Sequence, residues 1–321
     1  MLTSNSKNVV AEIRATIAAR ESLVRARVRG KLQFLSPSLP EGVERNHSSV
    51  FWILQAQLGT LDKMKSSFAL EAEPGTFELL AIARNLFENV IWLRLFNRER
   101  EYGLLFYEQL LKQQKQNTEM FIAKANSEIS LFHEFERIDG ENLDFSFFSV
   151  LEGNPTDEEI QAAQVTHRNL TDDLDNKARR AFSIYASAAK FNGYGYQCNI
   201  IREKELPRQL LQLAEIQKSL DKLCSAKWSI LSEPMFRLSK VRWNWKDRAN
   251  DVGMIEQYNF LYAYTSRLLH STPMNLITEK QLSASESAMM LDYAFITILD
   301  IFDLIDSFSF PGQANVAVFD L

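Results

Sequence analysis

Residues 76–96 read TFELLAIARNLFENVIWLRLF. Wound at about 100° per residue, this stretch is apolar nearly all the way round. Leu79, Ile82, Leu86, Val90 and Leu93 cover one side, and Phe77, Leu80, Phe87, Ile91 and Leu95 cover the other. A helix with that pattern belongs in the middle of a protein rather than on its surface. Arg84 and Glu88 fall inside the second stripe, four residues apart and therefore stacked one above the other. A buried charge without a partner is expensive, so the two must neutralise each other or meet a third group in the core. The rest of the chain is expected to wrap this helix and to bring a histidine to the pair.

Working outward, helical spacing recurs and strand alternation does not, so the expected fold class is all-α, a multi-helix bundle. Residues 8–31 repeat Val9, Ile13, Ile17, Leu23 and Val28 and are expected to stop at Gly30. The turn-rich SPSLPEG at 36–42 follows. A second helix should open at Ser48 or Ser49 and run to about residue 70. Thr76 is the expected N-cap of the central helix. Residues 102–135 should form one long or two broken helices, and 138–156 a connection. Thr156 with Glu159 reads as a capping box opening a helix towards residue 190. FNGYGYQC at 191–198 reads as a glycine–aromatic loop. Residues 206–231 form a further helix, with Pro207 in its first turn, and 235–249, carrying Trp243 and Trp245, read as a basic loop over the core. The last two helices cover 250–271 and, behind a Ser283–Glu286 box, 284–308. This divides the chain into a basic N-terminal helix and linker (1–40) and a helical bundle (41–321), with an insertion at about 138–200.

Composition narrows the function. The chain has 321 residues, 46% hydrophobic and 24% charged, the profile of a globular protein rather than a disordered one. The stretch 76–96 carries Glu78, Arg84, Glu88 and Arg94, so it is not a membrane span, and no membrane span is expected elsewhere. The first residues lack the compact apolar core of a leader, and two cysteines, Cys198 and Cys224, make no disulfide framework. A cytoplasmic protein is expected. Residues 1–31 hold seven basic groups against Glu12 and Glu21, a local +5 in a chain of net −5, leaving −10 on the rest. Arg20, Arg25, Arg27 and Arg29 could therefore touch nucleic acid or an anionic membrane, or dock this helix on the chain's own acidic body.

Of four histidines none stands in HExxH, and GxSxG, Walker A and GxGxxG patterns are all missing. No metal and no cofactor are expected. His133 and His167 sit in polar company and read as surface residues. His270 differs, because it closes a helix on which Ser266, Ala263 and Asn259 share its face, with Arg267 about 60° aside. A helix C-terminus favours a protonated ring there, and the alternative is a histidine that only caps the last carbonyls.

The pairing of ARNLFENVIWLRLF with YNFLYAYTSRLLHSTPMNL resembles a bacterial family of unknown function related to the HEPN superfamily of nucleotide-binding helical bundles. The likeness covers roughly residues 45–310 and leaves the basic N-terminal helix outside. It implies a HEPN-like core in toxin–antitoxin, CRISPR or antiphage systems, where many members are dimeric, metal-independent ribonucleases. Their signature is an arginine, a polar residue and then a histidine, with four to six residues in all between the arginine and the histidine. Here Arg267 and His270 are separated by Leu268 and Leu269 alone. Members without the signature are implied to be binders or assembly modules.

Three readings follow. In the first, His270 is the base or acid of RNA cleavage, Arg267 and Arg84 clamp phosphate, and Glu88 orients Arg84 and holds His270 in one tautomer. In the second, Arg84, Glu88 and His270 are a buried polar network in a non-enzymatic module, with Ser266, Asn259 and Tyr262 lining its ligand or partner site. In the third, the N-terminal arginines and the basic, tryptophan-bearing 235–249 segment hold single-stranded nucleic acid without chemistry. A homo-oligomer or a protein partner is expected under the first two. The missing spacing favours the second.

Overall fold

The computed structural model describes residues 4–35, 48–69, 74–143, 149–269 and 282–311. Every regular element among them is helical. The chain folds as two compact units, Met1–Glu108 with Ser225–Leu321, and Gln109–Cys224.

The first unit is built on the stretch quoted above. Helix α1 covers Ser4–Leu35, α2 Ser49–Ser67 and α3 Thr76–Arg98. On α3, Leu79, Leu80, Ile82, Ala83, Leu86, Phe87, Val90, Ile91, Leu93, Leu95 and Phe96 are all buried. The linker 36–42 lies outside the described residues. α1 passes Gly30 by five residues because Lys31, Leu32 and Leu35 are buried, and Lys31 Nζ donates to the Phe308 carbonyl at 2.6 Å. Tertiary burial overrides the local stop signal there. Ser48 caps α2 by accepting from Phe51 N. The cap of α3 is Gly75, whose N–H is taken by Glu78 at 2.8 Å, while Thr76 Oγ1 accepts from Leu282 N at 3.1 Å. The expected cap thus joins two distant segments instead.

Helix α4, Tyr102–Asn142, is a single helix of 41 residues. The polar KQQKQNTE segment does not break it, and residues 138–142, expected in a connection, extend it. In the second unit its positions 115, 118, 122, 125, 129 and 132 recur at three and four, a coiled-coil spacing. α5 is a single turn, Ser149–Glu152, and α6 runs Asp157–Arg180 behind the Thr156–Glu159 box, ending ten residues before the expected 190. The glycine–aromatic segment is helical, as α7 (Ala186–Asn192) and α8 (Tyr194–Ile200), parted by Gly193 at φ +92°. A π-helical turn at Ile201–Glu205 joins α8 to α9, Leu206–Ile230. It sits just ahead of Pro207, whose missing N–H a strictly α-helical ladder would not tolerate. α9 returns antiparallel to α4, as Lys115 with Gln217 (2.8 Å) and Arg202 with His133 (2.7 Å) show. A core of Phe132, Phe135, Leu174, Ala178, Ala186, Ala189, Tyr194 and Cys198 holds α4, α6, α7 and α8 together.

Back in the first unit, 235–249 is not a loop. It contains α10 (Glu233–Ser239) and α11 (Trp245–Asp251). The helix expected from residue 250 is interrupted at Gly253 (φ +72°) and restarts as α12 (Ile255–Gln257), a π-helical turn (Tyr258–Tyr262) and α13 (Ala263–Leu269). α14, Ala284–Ser307, opens on Ser283 with Glu286 completing the capping box. α3 packs against α2, α11, α13 and α14, and α1 against α2 and α14. It is the hub of this unit.

Candidate functional site

One stripe of α3 is left open. Phe77 and Ala81 are exposed and Arg84 and Glu88 half-buried, at spacings of four, three and four. Arg84 Nε donates to Glu88 Oε1 at 3.1 Å. The side chains are 29% and 26% exposed, so the pair is not sealed in the core as its sequence position suggests. Among the described residues the pair is met by the π-helical turn Tyr258–Tyr262. That turn lays the Tyr262 ring beneath Arg84, with Cζ 4.1 Å from the ring centroid. Tyr258 stacks on Tyr262 at 4.8 Å and 21°, and leans on Phe87 at 6.4 Å. Burial pushes the Tyr258 hydroxyl's pKa up, and it stays neutral. The guanidinium is thus fixed on one edge by a carboxylate and on one face by a tyrosine pair. Among the described residues neither of its η nitrogens has a hydrogen-bond acceptor. A group held this way can grip a carboxylate or phosphate through two parallel N–H bonds.

The other expected site residues are scattered. Tyr262 is in place under Arg84, Asn259 is exposed on the same turn, and Ser266 is half-buried on α13. His270 and the side chain of Arg267 lie outside the described residues, so the histidine's approach to the pair does too. Next to the site, Tyr264 donates to Glu286 at 2.6 Å. Burial, then that carboxylate, raises the Tyr264 hydroxyl, while the Tyr264 hydroxyl and Ser283 amide hold Glu286 below the usual carboxylate value.

The basic face of α1 meets acids of its own unit. Arg20 reaches Asp303 at 2.8 Å and lies 4.9 Å over the Phe302 ring. Arg25 pairs with Glu21 and with Asp62 at 2.7 Å, and Arg27 with Asp306 at 3.2 Å. Arg29 lines an open hollow of about 630 Å³ with Arg25, Gln33, Asp62 and Lys65. Of the two alternatives for this helix, docking on the acidic body is the one these distances describe. The tryptophans are occupied as well. Trp243 stacks on Trp92 of α3 at 4.2 Å and 13°, Trp245 meets both edge-on, and Arg248 lies over Trp243. These half-buried rings are packed on one another, which leaves less of their faces free for bases.

Sequence reasoning missed Tyr258, though the tyrosines of YNFLYAY at 258 and 262 stand four apart, the spacing of helical neighbours. Among the described residues no group of three or more His, Cys, Asp or Glu could hold a metal ion, and no helix is long and apolar enough to cross a membrane. No protein-family model, curated protein or solved structure matches the chain.

Proposed function

We propose that this protein is a non-enzymatic helical module that binds a protein partner or small ligand at Arg84, in a HEPN-like setting of bacterial cytosolic defence or toxin–antitoxin type. The observation that carries the reading is the guanidinium held between the Glu88 carboxylate and the Tyr262 ring, with no acceptor on its outer edge among the described residues. Such preorganisation suits recognition of an anionic group, because the arginine loses little freedom when the ligand arrives. The absence of the arginine–histidine spacing supports binding over RNA cleavage.

Incubation of the full chain with labelled single-stranded RNA, with and without chelator, tests the choice. The expected result is intact RNA under both conditions, and Arg84→Ala less stable by about 1–2 kcal/mol, a half-exposed ion pair plus a cation–π contact. RNA cleavage that His270→Ala abolishes without changing the thermal midpoint would replace this reading with the ribonuclease.

A further inference from the structure

Where α3 hands over to α4, an open hollow of about 390 Å³ lies against α10 and the end of α11, within the first unit. That volume suits a small ligand. The corner is pinned to α10, because Glu101 Oε2 accepts from the Ser232 amide at 2.7 Å and from its hydroxyl at 2.9 Å. Arg98 and Arg248 both line the hollow, and both are tied to Asp251. Arg98 Nη1 donates to the Asp251 carbonyl, while Arg248 Nη1 lies 2.9 Å from the Asp251 carboxylate and 3.4 Å from the Tyr102 hydroxyl. Each guanidinium is held through that one nitrogen. Among the described residues, Nε and Nη2 of both have no acceptor. The Arg248 side chain is only 11% exposed and lies 5.7 Å over the Trp243 ring. Burial pushes the Tyr102 hydroxyl's pKa up, so it stays a neutral donor. Pro234 and Met235 stand four and three residues before Leu238, on one face of α10, and give the hollow its apolar wall.

We propose that this hollow binds a free α-amino acid with an apolar side chain, its carboxylate taken by Arg98 and Arg248, its ammonium by Glu99 and its side chain by the α10 wall. Two guanidiniums tied to one residue, each with N–H groups to spare, suit a carboxylate, and the near-burial of Arg248 strengthens the bond it would make. Glu99 lines the same hollow, and among the described residues its carboxylate has no partner. Arg98 and Arg248 stand against Glu99 and Asp251, so the formal charges of the lining cancel. A lining of that kind complements a ligand that carries both signs and is neutral overall, and it opposes a phosphate dianion. An uncharged apolar molecule would leave the arginine donors and Glu99 unused. This site shares no residue with the one at Arg84, and the inference is independent of that reading.

Calorimetric titration of the full chain with L-leucine, L-methionine and L-phenylalanine tests it. At least one of the three is expected to bind. For leucine, isocaproate lacks the ammonium and isoamylamine lacks the carboxylate, and each should bind about tenfold or more weakly than leucine itself. Glu99→Gln, at an exposed position, should keep the thermal midpoint, weaken leucine about tenfold and leave isocaproate unchanged. Arg98→Gln should weaken both. No binding of any of the three amino acids overturns the proposal. So does isocaproate or inorganic phosphate bound as tightly as the amino acid, or a Glu99→Gln protein that binds leucine like wild type.

Discussion

Arg84 shows how much a single side chain's surroundings decide. Four residues from Glu88 on a helix, it would pair with that carboxylate in any exposed helix for a few tenths of a kcal/mol. Held also over Tyr262, it becomes part of the contact between α3 and the 258–262 turn. Tyr262→Phe should therefore leave stability nearly unchanged, while Tyr262→Leu should cost about 1 kcal/mol or more by losing the ring face. Urea titrations of the two variants compare them directly. The neighbouring Tyr264–Glu286 bond predicts a pH dependence at both ends. Glu286 is held below its ordinary value, so its contribution is complete above the unfolded value near 4.5 and lost as pH falls through the lower folded value. Tyr264 is raised, so its contribution is complete below pH 10 and is lost as pH rises beyond that. Tyr264→Phe should flatten both limbs of a stability–pH curve; limbs unchanged by the substitution would contradict the linkage.

At the scale of elements, close approach and capping carry testable consequences. The start of α4 lies so near the start of α2 that a Cβ on Gly103 would collide with the Ser49 carbonyl oxygen, and Ser49 Oγ donates to the Arg100 carbonyl. Gly103→Ala should cost about 2 kcal/mol or more despite alanine's better helix propensity, because the obstacle is backbone. A chemical-denaturation midpoint at or above wild type would contradict that contact. Conversely, Phe182→Gly should stabilise by roughly 0.5–1 kcal/mol, since glycine accepts the left-handed conformation without the Cβ clash. These elements also show what the sequence could and could not reveal. The central helix, the start of α2, the Thr156 and Ser283 caps and the all-α class were legible, because apolar periodicity and capping residues act over one or two turns. The extension of α1 beyond Gly30, the helices in 186–200 and the π-helical turn at 258–262 were not, because burial and packing partners far along the chain decide them. Of the site, the Arg84–Glu88 pair could be read from its spacing. Its half-exposure and the tyrosine beneath it depend on how another segment folds back.

Across the whole molecule, the chain leaves the first unit after Glu108 and re-enters it at Ser225. Close to those two points, on the first unit's side, Glu108 and Lys227 form an ion pair in which both side chains are almost fully buried. Lys227→Met would leave the Glu108 carboxylate buried without that partner, at a cost of about 3–5 kcal/mol. Glu108→Gln/Lys227→Met together should recover most of the loss, and a double variant no more stable than the single would argue against the pair. The α1 arginines belong to the same unit-wide balance, with Arg20 and Arg27 held by Asp303 and Asp306 of α14. High salt should accordingly loosen α1, seen as faster amide exchange along 20–31.

The claim on which the rest stands is that α3 and the turn at 258–262 are coupled through Arg84 and Tyr262. A double-mutant cycle of Arg84→Ala and Tyr262→Leu, read by urea denaturation, measures that coupling directly. The account predicts an interaction of about 0.5–1 kcal/mol or more between the two substitutions. Losses that simply add, within about 0.3 kcal/mol, would contradict it.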